Sequence, residues 1–384
     1  MIKKWCFVVF VWSVVLSLEV PYVFATQPLT KKKIAWFTSL PEDLNAGDSP
    51  FWMNVRQFMV AAAQDLGVDL QIYPYNANPG LFVKRVQEVL TDENMKPDGI
   101  LFHNFKKRGD EVLQLAEQYG VSAFVFNAGF GADAPVGRPR EQFSHWIGQM
   151  LPDDEYTGWL LSEKLLEEAL KLEKRGADGT VHAVAFGGSR GSQASILRIR
   201  GFERSIQEQE QLLTQNILYA EWSRERVQKM VAPLIKKFPD VSVFWAASDS
   251  MAQGIIDGAK AQGWTPGKDF VVGGVDWLPE AVELIQSNEM TVSVGGHYLE
   301  GAWALIVLYD YLNGYDFAEI RATTTLGTKM FALTTSNIAQ FSMLREKLTL
   351  ENIVKNIDFT VYSKTYYPEL QEYDFNLEEL LQGL

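Results

Sequence analysis

Short apolar runs rich in Val, Ile, Phe and Trp recur along the chain, each followed by a longer amphipathic stretch, and this alternation constrains the fold more than any other feature. The runs are Lys33–Thr38, Leu70–Tyr75, Gly99–His103, Ala123–Phe126, Val181–Phe186, Ile217–Ala220, Val241–Ala246 and Phe270–Gly273. Between them lie segments of helical period, among them Trp52–Leu66, Leu81–Leu90, Glu111–Tyr119, Thr157–Leu172, Arg224–Lys237 and Ser250–Gln262. Apolar strands separated by periodic helices indicate βαβ units and parallel sheets buried on both faces. Gly67, Gly120 and Gly263 each follow a helical run, where a left-handed C-cap is needed. About twelve such units exceed what one doubly wound sheet usually holds, so two α/β lobes are expected, the first ending near Gly129–Pro139.

The N-terminus reads as a separate signal. Lys3 and Lys4 precede an apolar run from Trp5 to Leu18, and Val23-Phe24-Ala25 offers a small-x-small-like end. This pattern predicts a secretory signal peptide over 1–25, cleaved near Ala25. The rival, an uncleaved anchor, has a core short of the roughly 20 residues a span needs, interrupted by Glu19 and Pro21. The only cysteine, Cys6, lies inside that segment, so the expected mature chain has no disulfide, thiol nucleophile or thiolate metal site. A large exported chain without disulfides fits the bacterial periplasm. The formal charge of −13 argues against sequence-independent nucleic-acid binding, which needs a basic face.

In parallel α/β sheets, ligands bind outside the carboxyl ends of the strands. The residues that follow the strands form a coherent set. Ser49-Pro50-Phe51-Trp52 opens the first helix, Asn127 ends the fourth strand, and Gly187–Ser192 leads into a helix carrying Arg198 and Arg200. Glu221-Trp222, Ser248-Asp249 and Asp276-Trp277 follow later strands. Aromatic faces (Phe51, Trp52, Trp222, Trp277) can stack on the C–H face of a ring, while Asn127, Arg200, Asp249 and Asp276 can take up its hydroxyls. Ser49 and Asp249 also suit plain helix capping, and each aromatic alone suits the core.

Other chemistries find less support. Gly187–Ser192 follows a strand and precedes a helix, but matches neither the dinucleotide fingerprint nor a phosphate loop. His103, His145, His182 and His297 are scattered, without zinc-ligand spacing, and no G-x-S-x-G elbow is present. Asp153-Asp154-Glu155 reads as acidic residues favoured at a helix start. His297, just past the strand Thr291–Val294, can reach the cleft. No cofactor and no metal are expected.

From Lys33 to Thr335 the chain resembles the periplasmic binding proteins of the ribose/galactose type, related to lactose-repressor effector domains. Asp48-Ser49-Pro50-Phe51-Trp52 is similar to the family's sugar-stacking segment, Arg200-Gly201-Phe202 to its ligand arginine, and Ala220-Glu221-Trp222 to its second aromatic. The run from Ala247 to Gly254 resembles the Asn-Asp-x-Met-Ala-Leu-Gly signature, and Gly273–Asp276 the Gly-x-Asp that binds hydroxyls. The resemblance implies two Rossmann-like lobes joined by three crossing strands, near Ser144, Gly295 and Ala332. The N-terminal lobe would then hold 26–144 and 295–332, and the C-terminal lobe 145–294 and 333–384, including a C-terminal extension. Ser248, Ala128 and Gly295 depart from the sugar binders' polar residues. The expected function is a non-enzymatic receptor for a sugar, polyol or furanosyl signal, closing on it and delivering it to an ABC permease. The alternatives are a receptor that signals to a membrane sensor kinase and, further off, a secreted α/β enzyme.

Overall fold

A computed structural model describes residues 31–43, 49–131, 134–339 and 349–375 of the 384-residue chain. The expected signal peptide, Cys6 and Asp48 lie outside the described residues. The chain runs β1 (Lys33–Thr38), α1 (Pro50–Leu66), β2 (Asp69–Pro74), α2 (Pro79–Thr91), β3 (Gly99–Phe102), α3 (Gly109–Tyr119), β4 (Ser122–Phe126) and β5 (Trp146–Pro152). It continues with α4 (Asp154–Lys171), β6 (Val181–Gly187), α5 (Gln193–Glu208), β7 (Leu212–Tyr219), α6 (Arg224–Lys237), β8 (Val241–Ala246), α7 (Asp249–Lys260), β9 (Val271–Val275), α8 (Pro279–Gln286) and β10 (Val292–Gly295). Last come α9 (Glu300–Leu312), α10 (Phe317–Arg321), β11 (Thr325–Thr328), β12 (Phe331–Thr334) and α11 (Leu350–Asn356).

Two six-stranded sheets result, in the orders β11-β5-β4-β3-β1-β2 and β12-β10-β9-β8-β6-β7. The first is parallel throughout; in the second, β12 runs antiparallel to β10. Successive side chains of β1 point to opposite faces: Ile34 and Trp36 join one buried cluster, Ala35 and Phe37 another. Both faces are thus covered, which is why the strands read as unbroken apolar runs. α1 and α2 begin with proline, whose missing N–H costs nothing there. Gly67 and Gly120 adopt the left-handed caps that end α1 and α3.

The chain passes between the sheets after β5, at Gly295–Gly296, and between β11 and β12. The first passage comes later than the expected Ser144, because Trp146–Pro152 forms a strand of the first sheet, paired with β4 and β11. That strand carries Gly148 and Gln149 among its apolar residues, so its pattern is weak by itself. The tail also departs from expectation. It returns to the N-terminal lobe: Phe359 N donates to Asp65 on α1 at 2.9 Å, and the Tyr366 hydroxyl donates to the Leu66 carbonyl at 3.1 Å. A fully buried carboxylate on α9, Asp310, takes the side chains of Ser363 and Thr365 at 2.6 and 2.7 Å. Nothing in the tail's local pattern names this distant partner. No helix among the described residues is long and apolar enough to cross a membrane.

Candidate functional site

The carboxyl ends of both sheets face one cleft, and the backbone there is strained. Asn127 (φ 66°) ends β4, Glu221 and Trp222 (52° and 64°) follow β7, and Asp276 and Trp277 (125° and 54°) follow β9. Left-handed backbone at residues with a Cβ costs about 1–3 kcal/mol each and persists where the surroundings impose it, commonly at binding sites.

On the N-terminal side, Pro50 starts α1 and throws Phe51 and Trp52 into the cleft. Each lies against a buried histidine: Phe51 stacks on His297 at 4.7 Å between centroids, and Trp52 on His103 at 4.4 Å. The Ser49 hydroxyl makes no capping bond to α1, so its lone pairs are not taken by the helix. His103 Nε2 meets the Tyr75 hydroxyl at 3.2 Å, and burial lowers its pKa to about 3. Burial, with Arg198 adding to it, holds His297 well below the usual histidine value. Both imidazoles are neutral.

The C-terminal side centres on Arg198. Its Nε donates to Asp154 Oδ1 at 2.7 Å and its Nη1 to the Ala247 carbonyl at 2.7 Å, while Nη2 lies 3.2 Å from His297 Nε2. Asp276 Oδ1 stands 3.6 Å from Nη1 and 3.5 Å from His297 Nε2. The guanidinium carbon sits 5.9 Å from the Trp222 ring centre. Burial works against the Arg198 charge, and the carboxyls of Asp154 and Asp276 more than offset it, so its pKa is raised. Burial pushes Asp276 well above the ordinary carboxylate range, with Arg198 pulling the other way. Trp222 lies against Gly188, where a Cβ would fall 2.2 Å from the indole; the Gly-rich turn makes room for it.

Four of the sequence-expected residues take other places. Arg200 is on the outer face of α5, its side chain 59% exposed and 3.4 Å from Glu155. The cleft arginine is Arg198, because residues three or four apart share a helix face and those two apart, as Arg198 and Arg200 are, do not. Gly201, three positions after Arg198, is where α5 presses on α4: a Cβ there would lie 2.0 Å from the Glu155 carbonyl, and one at Gly158 would lie 1.9 Å from the Arg198 carbonyl. Asp249 is a brace within its lobe. Its carboxylate accepts the Leu278 N–H at 2.9 Å and the Ser293 hydroxyl at 2.8 Å, and burial raises its pKa to about 7. Ser248 is buried and caps α7, its hydroxyl accepting from Met251 N at 3.4 Å. Trp277 is core: its Nε1 donates to the Ser293 carbonyl at 3.0 Å, and it covers Gly295.

His297 with Phe51 stacked on it, Asp276 and Trp222 gather around Arg198, and Trp52 lies beside Phe51 at 5.2 Å between centroids. Ser49 precedes α1 and Asn127 follows β4, at the carboxyl edge of the first sheet. Sequence reasoning missed Asp154, buried with Arg198 instead of solvated at a helix start, and His103 beneath Trp52. It also missed Lys106. From the loop after β3, its ammonium crosses the cleft mouth to Ser189 Oγ and Glu221 Oε2, both at 2.7 Å. Among the described residues no cluster of His, Cys, Asp or Glu could hold a metal ion.

The profile of the periplasmic binding protein domain family matches residues 44–316, which take in every cleft residue named above. The chain belongs to this family. Its members are binding proteins, not enzymes. This binding-protein domain is 24% identical over 265 residues to the D-allose-binding periplasmic protein of Escherichia coli, covering 68% of this chain and 80% of that protein. A crystallised periplasmic sugar-binding protein from Pseudomonas fluorescens superposes with a TM-score of 0.78 at 28% identity, over 91% of this chain and 99% of that one. The periplasmic component of the arabinose ABC transporter from Shewanella sp. ANA-3, bound to α- and β-L-arabinofuranose, shares the fold at a TM-score of 0.68 and 17% identity, over 85% and 99%.

Proposed function

We propose that this chain is an exported solute-binding protein that captures a small neutral sugar or polyol by lobe closure and presents it to an ABC permease. The observation that carries the reading is the Arg198 cluster: a guanidinium, a buried carboxyl and a neutral imidazole meet between Phe51 on one lobe and Trp222 on the other. Flat aromatic surfaces suit the C–H face of a sugar ring, and the polar groups suit its hydroxyls. The charge balance favours a neutral ligand. Arg198 is offset by the buried carboxyls of Asp154 and Asp276 beside it, and burial disfavours charge on His297, so no unbalanced cation is left for an anion to meet. Ser49 and Asn127 would complete the ligand's contacts from the N-terminal lobe. The relatives named above bear on this directly: one binds D-allose, one is a sugar-binding protein, and one serves an arabinose transporter. The passages between the sheets supply the hinge, and a ligand touching both lobes shifts the open–closed balance by its differential affinity for the two states.

The test is a thermal-shift and calorimetric screen of the mature chain against D-allose, D-galactose, D-ribose, L-arabinose and myo-inositol. A ligand at 100 times its Kd stabilises by about 2.7 kcal/mol, and it should be recovered chemically unchanged. Silence across the panel, or turnover of a sugar that binds, defeats the reading.

A further inference from the structure

Arg198 is not held by its own lobe alone. Its Nε is bound to Asp154, the first residue of α4 directly past the first passage between the sheets, and its Nη2 faces His297, just past the second. The guanidinium is therefore held by the first residue after one passage and by a residue just after another. Asp154 has no other evident task. The start of α4 is already capped by Asp153, whose carboxylate accepts the Tyr156 N–H at 3.1 Å. The Asp154 side chain is only 3% exposed, and a buried ion pair is on average a poor source of stability. Two glycines, Gly158 and Gly201, are needed to bring α4 and α5 close enough for this pair to form.

We infer that Asp154 is a positioning residue for ligand binding: through its ion pair it fixes the Arg198 guanidinium toward Asp276 and Trp222, and ties that group to the first interlobe passage. It touches no ligand itself. An arginine side chain carries several free torsions, and fixing them before the ligand arrives removes their entropic cost from binding. The inference rests on reading the cleft as the sugar site.

The experiment is a double-mutant cycle with Asp154→Asn and Arg198→Lys. It reads ligand-free melting temperature and Kd for the tightest binder among D-allose, D-galactose, D-ribose, L-arabinose and myo-inositol. Asp154→Asn, assayed well below its melting point, should weaken binding about tenfold or more, and by less than about twofold in the Arg198→Lys background. A merely structural residue would lower the melting temperature and leave the Kd of the folded protein alone. Parent-like affinity in Asp154→Asn, or the same penalty in both backgrounds, overturns the assignment. If Asp154→Asn does not fold, Asp154→Glu keeps the charge and displaces it by one methylene; weakened binding supports the role, and parent affinity overturns it. If no sugar of the panel binds the parent, the receptor reading falls separately. The positioning role is then judged on the ligand-free parent by nitrogen-15 spectra of the arginine side chains. An Arg198 Nε–H protected from solvent exchange upholds it, and one in rapid exchange overturns it.

Discussion

Replacing Asp310 by asparagine isolates what binds the C-terminal tail to the molecule. Asp310 has no exposed surface. Its Oδ1 accepts from Ser363 Oγ at 2.6 Å, Thr365 N at 3.0 Å and Thr365 Oγ1 at 2.7 Å. Its Oδ2 accepts from Lys364 N at 2.7 Å and the Tyr373 hydroxyl at 3.0 Å. An asparagine turns one oxygen into an NH2 donor. In the less costly orientation that group replaces Oδ2: the Tyr373 hydroxyl can rotate and accept, but the Lys364 main-chain N–H cannot. One charge-assisted bond is lost, about 1.5–3 kcal/mol, and a buried donor is left unsatisfied at about 1–3 kcal/mol, for roughly 3–5 kcal/mol together. At about 2–4 °C per kcal/mol for a domain of this size, the melting temperature should fall by roughly 6–20 °C. Limited proteolysis should then cut within 357–375. The tail touches α1 at Asp65 and Leu66, the end remote from Ser49, Phe51 and Trp52, so sugar affinity should stay within about twofold at temperatures where the variant is folded. A variant melting within about 1 °C of the parent, with an unchanged protease pattern, would refute the reasoning.

Further outcomes follow from the cleft. Trp222→Ala should weaken sugar binding about tenfold while the ligand-free protein melts as the parent does, since Trp222 is only half-buried; calorimetry showing equal affinity speaks against stacking. Trp52→Ala should lose both affinity and stability, because the same ring packs on His103. Lys106→Gln removes the contacts to Ser189 and Glu221; the pair is partly exposed and worth about 0.2–1 kcal/mol, so release should quicken up to about fivefold. Stopped-flow release from the parent should speed up with salt and that from the variant should not; equal salt dependence in the two counts against a cleft-mouth pair. The pH dependence has a definite sign. Burial raises Asp249 to about 7 and puts Asp276 and Glu300 well above the carboxylate range, so from about pH 4 upward the folded state holds protons that the unfolded chain has released. Their contribution to stability is fully present below that pH and is lost as pH rises through the folded values. The buried histidines His103 and His297 act in the opposite sense up to about pH 6.5, so the test is a comparison in which they cancel. Between pH 5 and 8, urea unfolding should show the parent losing stability relative to Asp249→Asn, and a parent that gains on the variant across that window contradicts the burial of Asp249 as a neutral acid.

The elements of the fold are legible in the residues because strand and helix signatures are local. Val241–Ala246 is buried at every position and apolar at all but Ser242 since both sides of its sheet are covered, and the period of Arg224–Lys237 marks its helix without reference to anything distant. The Ser49-Pro50-Phe51-Trp52 start is legible for the same reason: a cap, a proline at the first helical position and two aromatics announce themselves within four residues. What the tertiary structure decided is which polar groups meet. Arg198 and Arg200 are equally plausible in a string of letters; the approach of α5 to α4 at Gly158 and Gly201 turns one to Asp154 and leaves the other in solvent. Asp249 reads like a ligand residue, yet Leu278 and Ser293 occupy its oxygens from elements far along the chain. Asp154 reads like solvated charge and is buried, and Asp310 gathers a tail some fifty residues away. Hydrogen bonds and ion pairs act over about 3 Å and are indifferent to sequence separation, so their partners exist only once the sheets, the passages between them and the helix packing have placed them.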